Sequence, residues 1–301
     1  MYNGFTDCID YDYSALNKLI GLLCGRYPKL KSFTIGKSCA GRDIQALKIG
    51  NASEYSLIAA AVHGSEHITT NVLMMFAEEL CEALENDSSV GGLNARKALF
   101  KKGIIFIPRA NPDGCEISIH GAAGCAGKSD AIRNFFSDDF KHYNANLRGV
   151  DLNHNFDAGF KEVKSAEQKA GIYGPSGTRY GGSRPESEPE TVALCDICRK
   201  INIRQLLALH TQGEVIYWTY GENRPSRSER MAEIMASSAN YILDTPDEIA
   251  SAGGYKDWFI EKFNRPGFTA ELGLGQNPLP AESARSIYER VREMLMLFSV
   301  M

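Results

Sequence analysis

Two histidines and two glutamates in this chain are of the types needed to hold a metal ion and to move a proton. The first pair is His63 and Glu66, which lie three residues apart. An imidazole nitrogen and a carboxylate oxygen are both zinc ligands, and catalytic zinc usually takes three protein ligands and a water. A single His-x-x-Glu is weak evidence for such a site, because a surface or capping role is commoner. A third ligand and a general base are therefore needed from elsewhere in the chain.

His210 and Glu271 are the candidates for these two roles. His210 ends an apolar run, and Glu271 lies inside the short apolar segment 268–273, where an unpaired carboxylate would be costly. Taken singly, His210 could be a buried core histidine and Glu271 could be paired with an arginine. Together with the first pair, they supply three metal ligands and a free carboxylate. That combination predicts metal-assisted hydrolysis, in which the free carboxylate takes a proton from the attacking water.

The elements around these residues predict an α/β sheet whose strand ends carry the site. The apolar run 56–62 predicts a strand buried on both faces, and residues 69–85 return to helical periodicity. Sites in open α/β sheets form at the carboxyl ends of strands, which is where His63 and His210 fall. Further strands are predicted at 31–35, 44–49, 103–108, 206–210, 215–220 and 268–273, and further helices at 13–24, 188–202, 226–243 and 282–300.

This alternation predicts a single domain over residues 1–301, an α/β three-layer sandwich. Its sheet should be mixed, mostly parallel and twisted, with helices on both faces. Residues 109–114 give a turn signal, and residues 115–150 and 157–188 are expected to be long irregular segments.

Composition excludes several classes of protein. The net charge of -4 offers no basic surface for nucleic acid, and no apolar run approaches the roughly 20 residues of a membrane span. The first residues lack the basic and apolar regions of a signal peptide, so we expect a cytoplasmic protein. The eight cysteines are expected to be reduced and mostly buried. The pair Cys195 and Cys198 is interpreted as two neighbours on a helix, not as a metal or redox site.

Six short motifs occur in an order and spacing that resemble the zinc carboxypeptidase family of the carboxypeptidase A type. They are Gly41-Arg42, His63-Gly-Ser-Glu66, Asn111-Pro-Asp-Gly114, Gly149-Val-Asp-Leu-Asn153, His210-Thr211 and Thr269-Ala-Glu271-Leu-Gly273. The resemblance covers nearly the whole chain. It implies one zinc ion per chain bound by His63, Glu66 and His210, with Glu271 as general base and Asn153 binding a substrate carboxylate.

The chain departs from the family pattern where the substrate carboxylate would be gripped. The family's Asn-Arg pair is Asn153-His154 here, and an imidazole does not replace a guanidinium fork. A second family arginine aligns near Asn144, so Arg148 is the candidate substitute and Arg133 a weaker one. The tyrosine that usually precedes the last strand has no clear match. Its place falls near Ile249, and whether Tyr255 reaches the site is left open.

These departures resemble one branch of the family, the γ-D-glutamyl-meso-diaminopimelate peptidases, which act on small bacterial cell-wall peptides. The stretches 210–218, 253–259 and 265–269 carry that resemblance. By alignment, Lys256 falls near the side-chain pocket, where a cation would suit the second carboxylate of diaminopimelate. The alternative for Lys256 is a solvated surface lysine. Whether diaminopimelate is preferred over lysine, and the oligomeric state, are left open.

Three other interpretations compete with this one. The first is an ordinary zinc carboxypeptidase that releases C-terminal L-amino acids. The second uses His63-x-x-Glu66-His67 as an inverted zincin motif, with Glu66 as base. It needs both histidines on one continuous helix, and Gly64 directly after a strand argues against that. His67 is then a structural residue or one that supports the ligands. The third is an inactive binding module, which the presence of all four candidate residues disfavours.

Overall fold

The computed structural model describes residues 11–244 and 252–301, and a large central sheet organises them. The strands are β1 Leu30–Lys37, β2 Asp43–Ile49, β3 Tyr55–Ala60, β4 Ser89–Val90, β5 Leu93–Asn94, β6 Gly103–Ile107, β7 Ile203–His210, β8 Val215–Tyr217, β9 Ile242–Asp244 and β10 Gly267–Glu271. The helices are α1 Tyr13–Arg26, α2 Ile68–Asn86, α3 Ala95–Ala98, α4 Pro112–His120, α5 Ser129–Arg133, α6 Phe160–Lys169, α7 Pro189–Lys200, α8 Ser228–Ala239, α9 Tyr255–Phe263 and α10 Ala284–Val300.

Eight strands form the sheet in the order β1-β2-β6-β3-β7-β10-β8-β9, and β4 pairs with β5 in a separate hairpin. The four central strands, β6, β3, β7 and β10, run parallel to one another. Antiparallel pairings flank them, between β1, β2 and β6 on one side and between β10 and β8 on the other. The predicted mixed, mostly parallel sheet is confirmed.

Helices cover both faces of this sheet, and β3 divides the apolar core between them. Ile58 and Ala60 pack in the cluster formed with α1, α2, α8 and α10, whereas Leu57 and Ala59 pack in the cluster with α7 and α9. The split follows from the two-residue period of a strand. Because both faces of β3 are covered, its sequence is apolar throughout instead of alternating. The predicted three-layer arrangement is confirmed.

The turn predicted at residues 109–114 is wrong over its second half, because α4 begins at Pro112. Asn111 caps this helix, and its side-chain oxygen accepts a hydrogen bond of 2.9 Å from the backbone N–H of Gly114. Pro112 fills the first helical position, where its missing N–H costs nothing. The same residues that signal a turn therefore also signal a helix start.

The sequence analysis also does not predict the short helix α5 or the longer helices α6 and α9. In α6 only Val163 and Glu167 are buried, so this helix has almost no apolar period to detect. In α9 the six residues from Tyr255 to Ile260 are all buried, so no polar face marks its period. The predicted strand 215–220 and helix 226–243 are both shorter in the structure, at β8 and α8.

The cysteines follow the prediction where the structure describes them. Seven are free, and five of these are buried, including Cys195 and Cys198 as neighbours within α7. Among the helices of residues 11–244 and 252–301, none combines the length and the apolar character that crossing a membrane requires.

Candidate active site

The connection from β3 to α2 places His63 and Glu66 at one edge of the sheet. After Ala60 the chain turns at Ala61, which has a left-handed φ of 52°, and then forms a single 3₁₀ turn, Gly64–Glu66. A side chain at Gly64 would not fit. Its Cβ would lie 2.5 Å from the backbone oxygens of both Gly114 and Tyr143. The glycine therefore allows the tight turn that brings Glu66 back beside His63.

Parallel pairing brings His210 and Glu271 to the same edge. Ala60 at the end of β3 pairs with Leu209 of β7, and Glu271 at the end of β10 pairs with His210. The carboxyl ends of parallel strands meet at one edge of a sheet. Residues far apart in sequence therefore become neighbours, as the spacing of the apolar runs predicts.

Three potential metal ligands converge at this edge of the sheet. Nδ1 of His63 lies 2.8 Å from Oε1 of Glu66, and Nδ1 of His210 lies 2.9 Å from Oε2 of the same carboxylate. The two ring nitrogens are 3.3 Å apart. One ligand atom from each of the three residues can be chosen so that all lie within 4.8 Å of one another. Two imidazole nitrogens and one carboxylate are a donor set that suits catalytic zinc and leaves a position open.

The charges at this point favour a cation. Burial lowers the pKa of His63, but the carboxylates of Glu66 and Asp151 outweigh it and raise that pKa well above its usual 6.5. Burial raises the pKa of Glu66, yet the imidazoles of His63 and His210 keep it below its usual 4.5. The carboxylates thus draw positive charge to His63, and Glu66 stays ionised between the two imidazoles. A metal ion can replace the proton in such a cluster.

Asp151 contacts His63 and is a candidate site residue that the sequence analysis did not assign. Its buried Oδ1 lies 3.1 Å from Nε2 of His63, so it holds the ring with Nδ1 facing Glu66. The same carboxylate accepts hydrogen bonds from the backbone N–H groups of Asn153 and Arg179. Partners of this kind fix the orientation and tautomer of a ligating histidine. The motif Gly149-Val-Asp-Leu-Asn153 includes Asp151, but within this motif the sequence analysis assigns a role only to Asn153.

Glu271 lies beside the three converging residues with its carboxyl group in a desolvated setting. Burial, aided by the negative charge of Glu66, raises its pKa to about 7, although the charge of His210 opposes this. A general base is most effective when its pKa is close to the working pH. The position and raised pKa of Glu271 are those that a proton acceptor at this point would need.

Asn153 and His154 lie in the 3₁₀ turn that follows Asp151. The side-chain oxygen of Asn153 accepts a hydrogen bond of 3.1 Å from the backbone N–H of Tyr255. Burial lowers the pKa of His154, so its imidazole is neutral near pH 7. It does not supply the fixed positive charge that an arginine would.

Lys256 and Arg148, two candidate cations for substrate binding, have other partners. Nζ of Lys256 is buried and donates to the carbonyl oxygen of Thr219, at 2.6 Å, and to the carboxylate of Asp257. The solvated-surface alternative for Lys256 is therefore wrong, but its charge is already compensated. The guanidinium of Arg148 lies 3.6 Å from Glu188, and its side chain is 56% exposed.

The position aligned with the second family arginine does border the site. The backbone oxygen of Asn144 accepts from the N–H of Gly64 at 3.0 Å, and its side chain accepts from the hydroxyl of Ser65. Arg133, the weaker candidate, packs its guanidinium 3.8 Å from the ring centre of Phe140 instead. Across residues 11–244 and 252–301, no arginine forms a hydrogen bond or ion pair with any of the three predicted ligands.

Tyr255 does not replace the missing family tyrosine. Its hydroxyl donates to the carbonyl oxygen of Leu194 at 2.9 Å and lies 3.2 Å from the sulfur of Cys198, inside the core. The question left open by the sequence is answered against a role for this hydroxyl at the site. Ile249, the aligned position, lies outside the described residues.

The inverted zincin interpretation is wrong for this geometry. His63 ends an extended segment and Gly64–Glu66 is a 3₁₀ turn, so His63 and His67 are not on one continuous α-helix. His67 is buried at the start of α2, where burial and the charge of Arg109 lower its pKa to about 4. It lies outside the group of His63, Glu66 and His210 that could share an ion.

Fold and site together define an open-sheet α/β protein whose strand ends bring together two histidines and a glutamate suited to hold a catalytic metal ion. The sequence profile described as "Zinc carboxypeptidase" matches residues 16–294 of this chain. The chain therefore belongs to the zinc carboxypeptidase family, as the motifs predict.

Similar proteins agree with this assignment. The chain is 37% identical over 282 residues to gamma-D-glutamyl-L-diamino acid endopeptidase 1 of Lysinibacillus sphaericus, covering 93% of this chain and 70% of that protein. The fold matches bovine thrombin-activatable fibrinolysis inhibitor with a TM-score of 0.74, 19% identity and 98% coverage of both chains. It also matches murein-tripeptide amidase MpaA of Escherichia coli O157 with a TM-score of 0.56, 22% identity, and coverage of 88% and 91%.

Proposed function

We propose that this protein is a zinc-dependent peptidase that cleaves the γ-D-glutamyl–meso-diaminopimelate bond of bacterial cell-wall peptides. The observation that carries the proposal is the convergence of His63, Glu66 and His210 at a strand edge that also holds Glu271. The substrate class is supported by the relative from Lysinibacillus sphaericus, whose name specifies a γ-D-glutamyl-L-diamino acid bond.

Each residue of the site has a chemical task in this hydrolysis. Zinc held by His63, Glu66 and His210 would supply a Lewis acid that lowers the pKa of water. Glu271, with a pKa raised to about 7, takes the proton from the attacking water and returns it to the departing amine. Asp151 keeps the His63 ring in the orientation that turns Nδ1 toward the other ligands.

The substrate preference follows from the replacement of the family's Asn-Arg pair, which binds a terminal carboxylate, by Asn153-His154. His154 is neutral near pH 7, which disfavours an enzyme built around the terminal carboxylate of an ordinary L-peptide. Asn153 remains as a neutral group for a substrate carboxylate. We propose that Lys256 serves the second carboxylate of diaminopimelate. Because Asp257 already pairs with it, the substrate would have to share that ammonium or displace Asp257.

The proposal is tested with three substrates offered to the zinc-loaded enzyme. They are L-Ala-γ-D-Glu-meso-diaminopimelate, its lysine counterpart, and a set of plain L-peptides. We expect kcat/KM for the wall tripeptide to exceed that for plain L-peptides by at least tenfold. A charge-assisted contact of about 1.5–3 kcal/mol corresponds to roughly ten- to a hundredfold in specificity.

Two outcomes would change the assignment. If plain L-peptides are cleaved as fast as the wall tripeptide, the protein is an ordinary zinc carboxypeptidase. If the lysine counterpart is cleaved as well as the diaminopimelate peptide, the bond specificity stands but the role of Lys256 does not. A Lys256→Met variant, matched by Lys262→Met on the exposed side of the same helix, separates pocket charge from surface charge.

A further inference from the structure

Asn144 is held against the turn that carries two of the predicted ligands. Its backbone oxygen accepts hydrogen bonds from the N–H of Gly64, at 3.0 Å, and from Nδ2 of Asn111, at 3.2 Å. Its own N–H donates to the carbonyl oxygen of Gly177 at 2.9 Å. None of these contacts uses the side chain of Asn144. The position of its backbone beside the site is therefore fixed independently of what its amide group does.

The amide group of Asn144 is oriented by Ser65, the residue directly before Glu66. The buried hydroxyl of Ser65 donates to Oδ1 of Asn144 at 2.5 Å. This separation is within the range of an O–H···O hydrogen bond and is shorter than an N–H···O bond usually allows. The amide therefore presents its oxygen to Ser65, which leaves its NH₂ group free to donate elsewhere.

The NH₂ group of Asn144 is a donor that lies close to the predicted ligands and has no acceptor among residues 11–244 and 252–301. The nitrogen and oxygen of one amide are about 2.2 Å apart, so Nδ2 lies within about 5 Å of the Ser65 hydroxyl. Ser65 itself lies between His63 and Glu66, in the same 3₁₀ turn. Asn144 is partly exposed, so a bound molecule can reach its NH₂ group.

Hydrolysis of a peptide bond needs such a donor. When water attacks the carbonyl carbon, the π electrons of the C=O bond move to the oxygen, which becomes negatively charged. A preorganised N–H group aimed at that oxygen stabilises the transition state more than the substrate. Arg148 and Arg133, the cations considered for this region from sequence, have other partners. A neutral donor next to the ligands is therefore the available source of this stabilisation.

We infer that Nδ2 of Asn144 donates a hydrogen bond to the carbonyl oxygen of the scissile γ-D-glutamyl bond, and that Ser65 is the residue that positions this donor. Asn144 is then a catalytic residue, whereas Ser65 acts through it. The inference rests on the proposed peptidase function, and it adds to the metal ligands and to Glu271 a group that serves the oxygen of the substrate.

Two variants of Asn144 test the donor in the zinc-loaded enzyme. Asn144→Asp keeps the shape and the acceptor for Ser65 but replaces NH₂ by oxygen, and Asn144→Ala removes both. In Asn144→Ala we expect kcat to fall about 10²- to 10³-fold, as is typical when one donor to an oxyanion is removed, with KM within threefold. Asn144→Asp should lose at least as much. The control is Asn51→Ala, exposed at the opposite end of the sheet, which should keep its kcat.

A second readout measures the donor without turnover. A phosphinate that replaces the scissile bond carries a negatively charged oxygen in place of the carbonyl oxygen. In calorimetric titration, Asn144→Ala should bind this analogue about 10²-fold more weakly than the parent enzyme. Its zinc affinity, measured with a chromophoric chelator, should stay within twofold, because Asn144 is not a ligand. Unchanged phosphinate affinity, kcat within threefold of the parent, or a matching loss of zinc would each overturn the inference.

Ser65→Ala separates positioning from a direct role. We expect a fall of at least fivefold in kcat with KM unchanged. The double variant Ser65→Ala/Asn144→Ala should be no slower than Asn144→Ala, since Ser65 acts only through that amide. Additive losses would contradict the positioning role. The ratios are measured on whichever of the wall tripeptide and plain L-peptides the parent enzyme cleaves. A wrong substrate assignment therefore shows in the parent enzyme, and a wrong role for Asn144 shows in the ratio of variant to parent.

Discussion

Replacing Asp151 by asparagine tests whether the buried carboxylate behind His63 controls metal affinity. Both oxygens of Asp151 accept hydrogen bonds from N–H groups. Oδ1 faces Nε2 of His63 and the N–H of Asn153, and Oδ2 accepts from the N–H of Arg179 at 2.7 Å. An asparagine has one oxygen and one NH₂ group, so in either orientation its NH₂ faces an N–H donor. One buried N–H group would therefore face the NH₂ group of the asparagine instead of an oxygen acceptor.

The magnitude follows from those contacts. A buried donor left without its acceptor costs about 1–3 kcal/mol, which should appear as lower unfolding free energy of the zinc-free protein. Loss of a partner that orients a ligating histidine costs about 10- to 100-fold in metal affinity. That range corresponds to about 1.4–2.8 kcal/mol, since tenfold in an equilibrium constant is about 1.4 kcal/mol. Asp151→Asn should therefore weaken zinc binding without removing a ligand.

The assay is competition for zinc between the protein and a chromophoric chelator, with urea unfolding of the zinc-free forms alongside. Asp157→Asn is the matched control, because Asp157 is exposed nearby and has none of these contacts. The reasoning fails if Asp151→Asn keeps its zinc affinity within twofold of the parent. It also fails if the control loses as much affinity as the variant.

Three further predictions concern the other residues of the site. Glu271→Gln should keep its zinc and its fold but lose about 10²–10⁴ in kcat, because the proton acceptor is removed; metal analysis and steady-state hydrolysis measure this. His210→Ala should lose stoichiometric zinc, whereas His67→Ala should retain it, as metal analysis after dialysis will show. Because burial lowers the folded-state pKa of His67 to about 4, protonation of this ring disfavours the folded state. The free energy of unfolding should therefore be highest above pH 6.5 and fall as the pH drops toward 4. Denaturant unfolding should show a loss of about 3 kcal/mol over that window, absent in His67→Ala.

Each of these predictions has an opposing result. Near-normal turnover in Glu271→Gln would show that another group takes the proton. Full zinc occupancy in His210→Ala would remove that residue from the ligand set. An equally steep loss of stability with acid in His67→Ala would assign the pH dependence to other groups.

The convergence of His63, Glu66 and His210 could be predicted from sequence because each ends or follows an apolar run. His63 and His210 follow runs buried on both faces, and parallel strands align such ends at one edge. The role of Asp151 could not be found in this way. It depends on a contact with His63 across 88 positions, and no local pattern encodes such a contact.

The substrate-binding residues were harder to predict for a related reason. Alignment indicates which backbone position lies near a pocket, but not where the side chain finds its partner. Tyr255 turns its hydroxyl to Leu194, and Lys256 bonds to Thr219 and Asp257. Both outcomes follow from the packing of α9, a helix whose wholly buried first six residues hide its period in the sequence.

His63 and His210 are 147 positions apart, and they meet only after β3 and β7 have paired. A metal ion therefore cannot nucleate folding here, as it does in a zinc finger whose ligands are close in sequence. Contacts of such long range form late, because the entropy of closing the chain between them must be overcome first. Bound zinc would then stabilise the sheet only after the sheet has formed. Stopped-flow experiments should show refolding rates that do not depend on zinc and unfolding rates that fall as zinc is added.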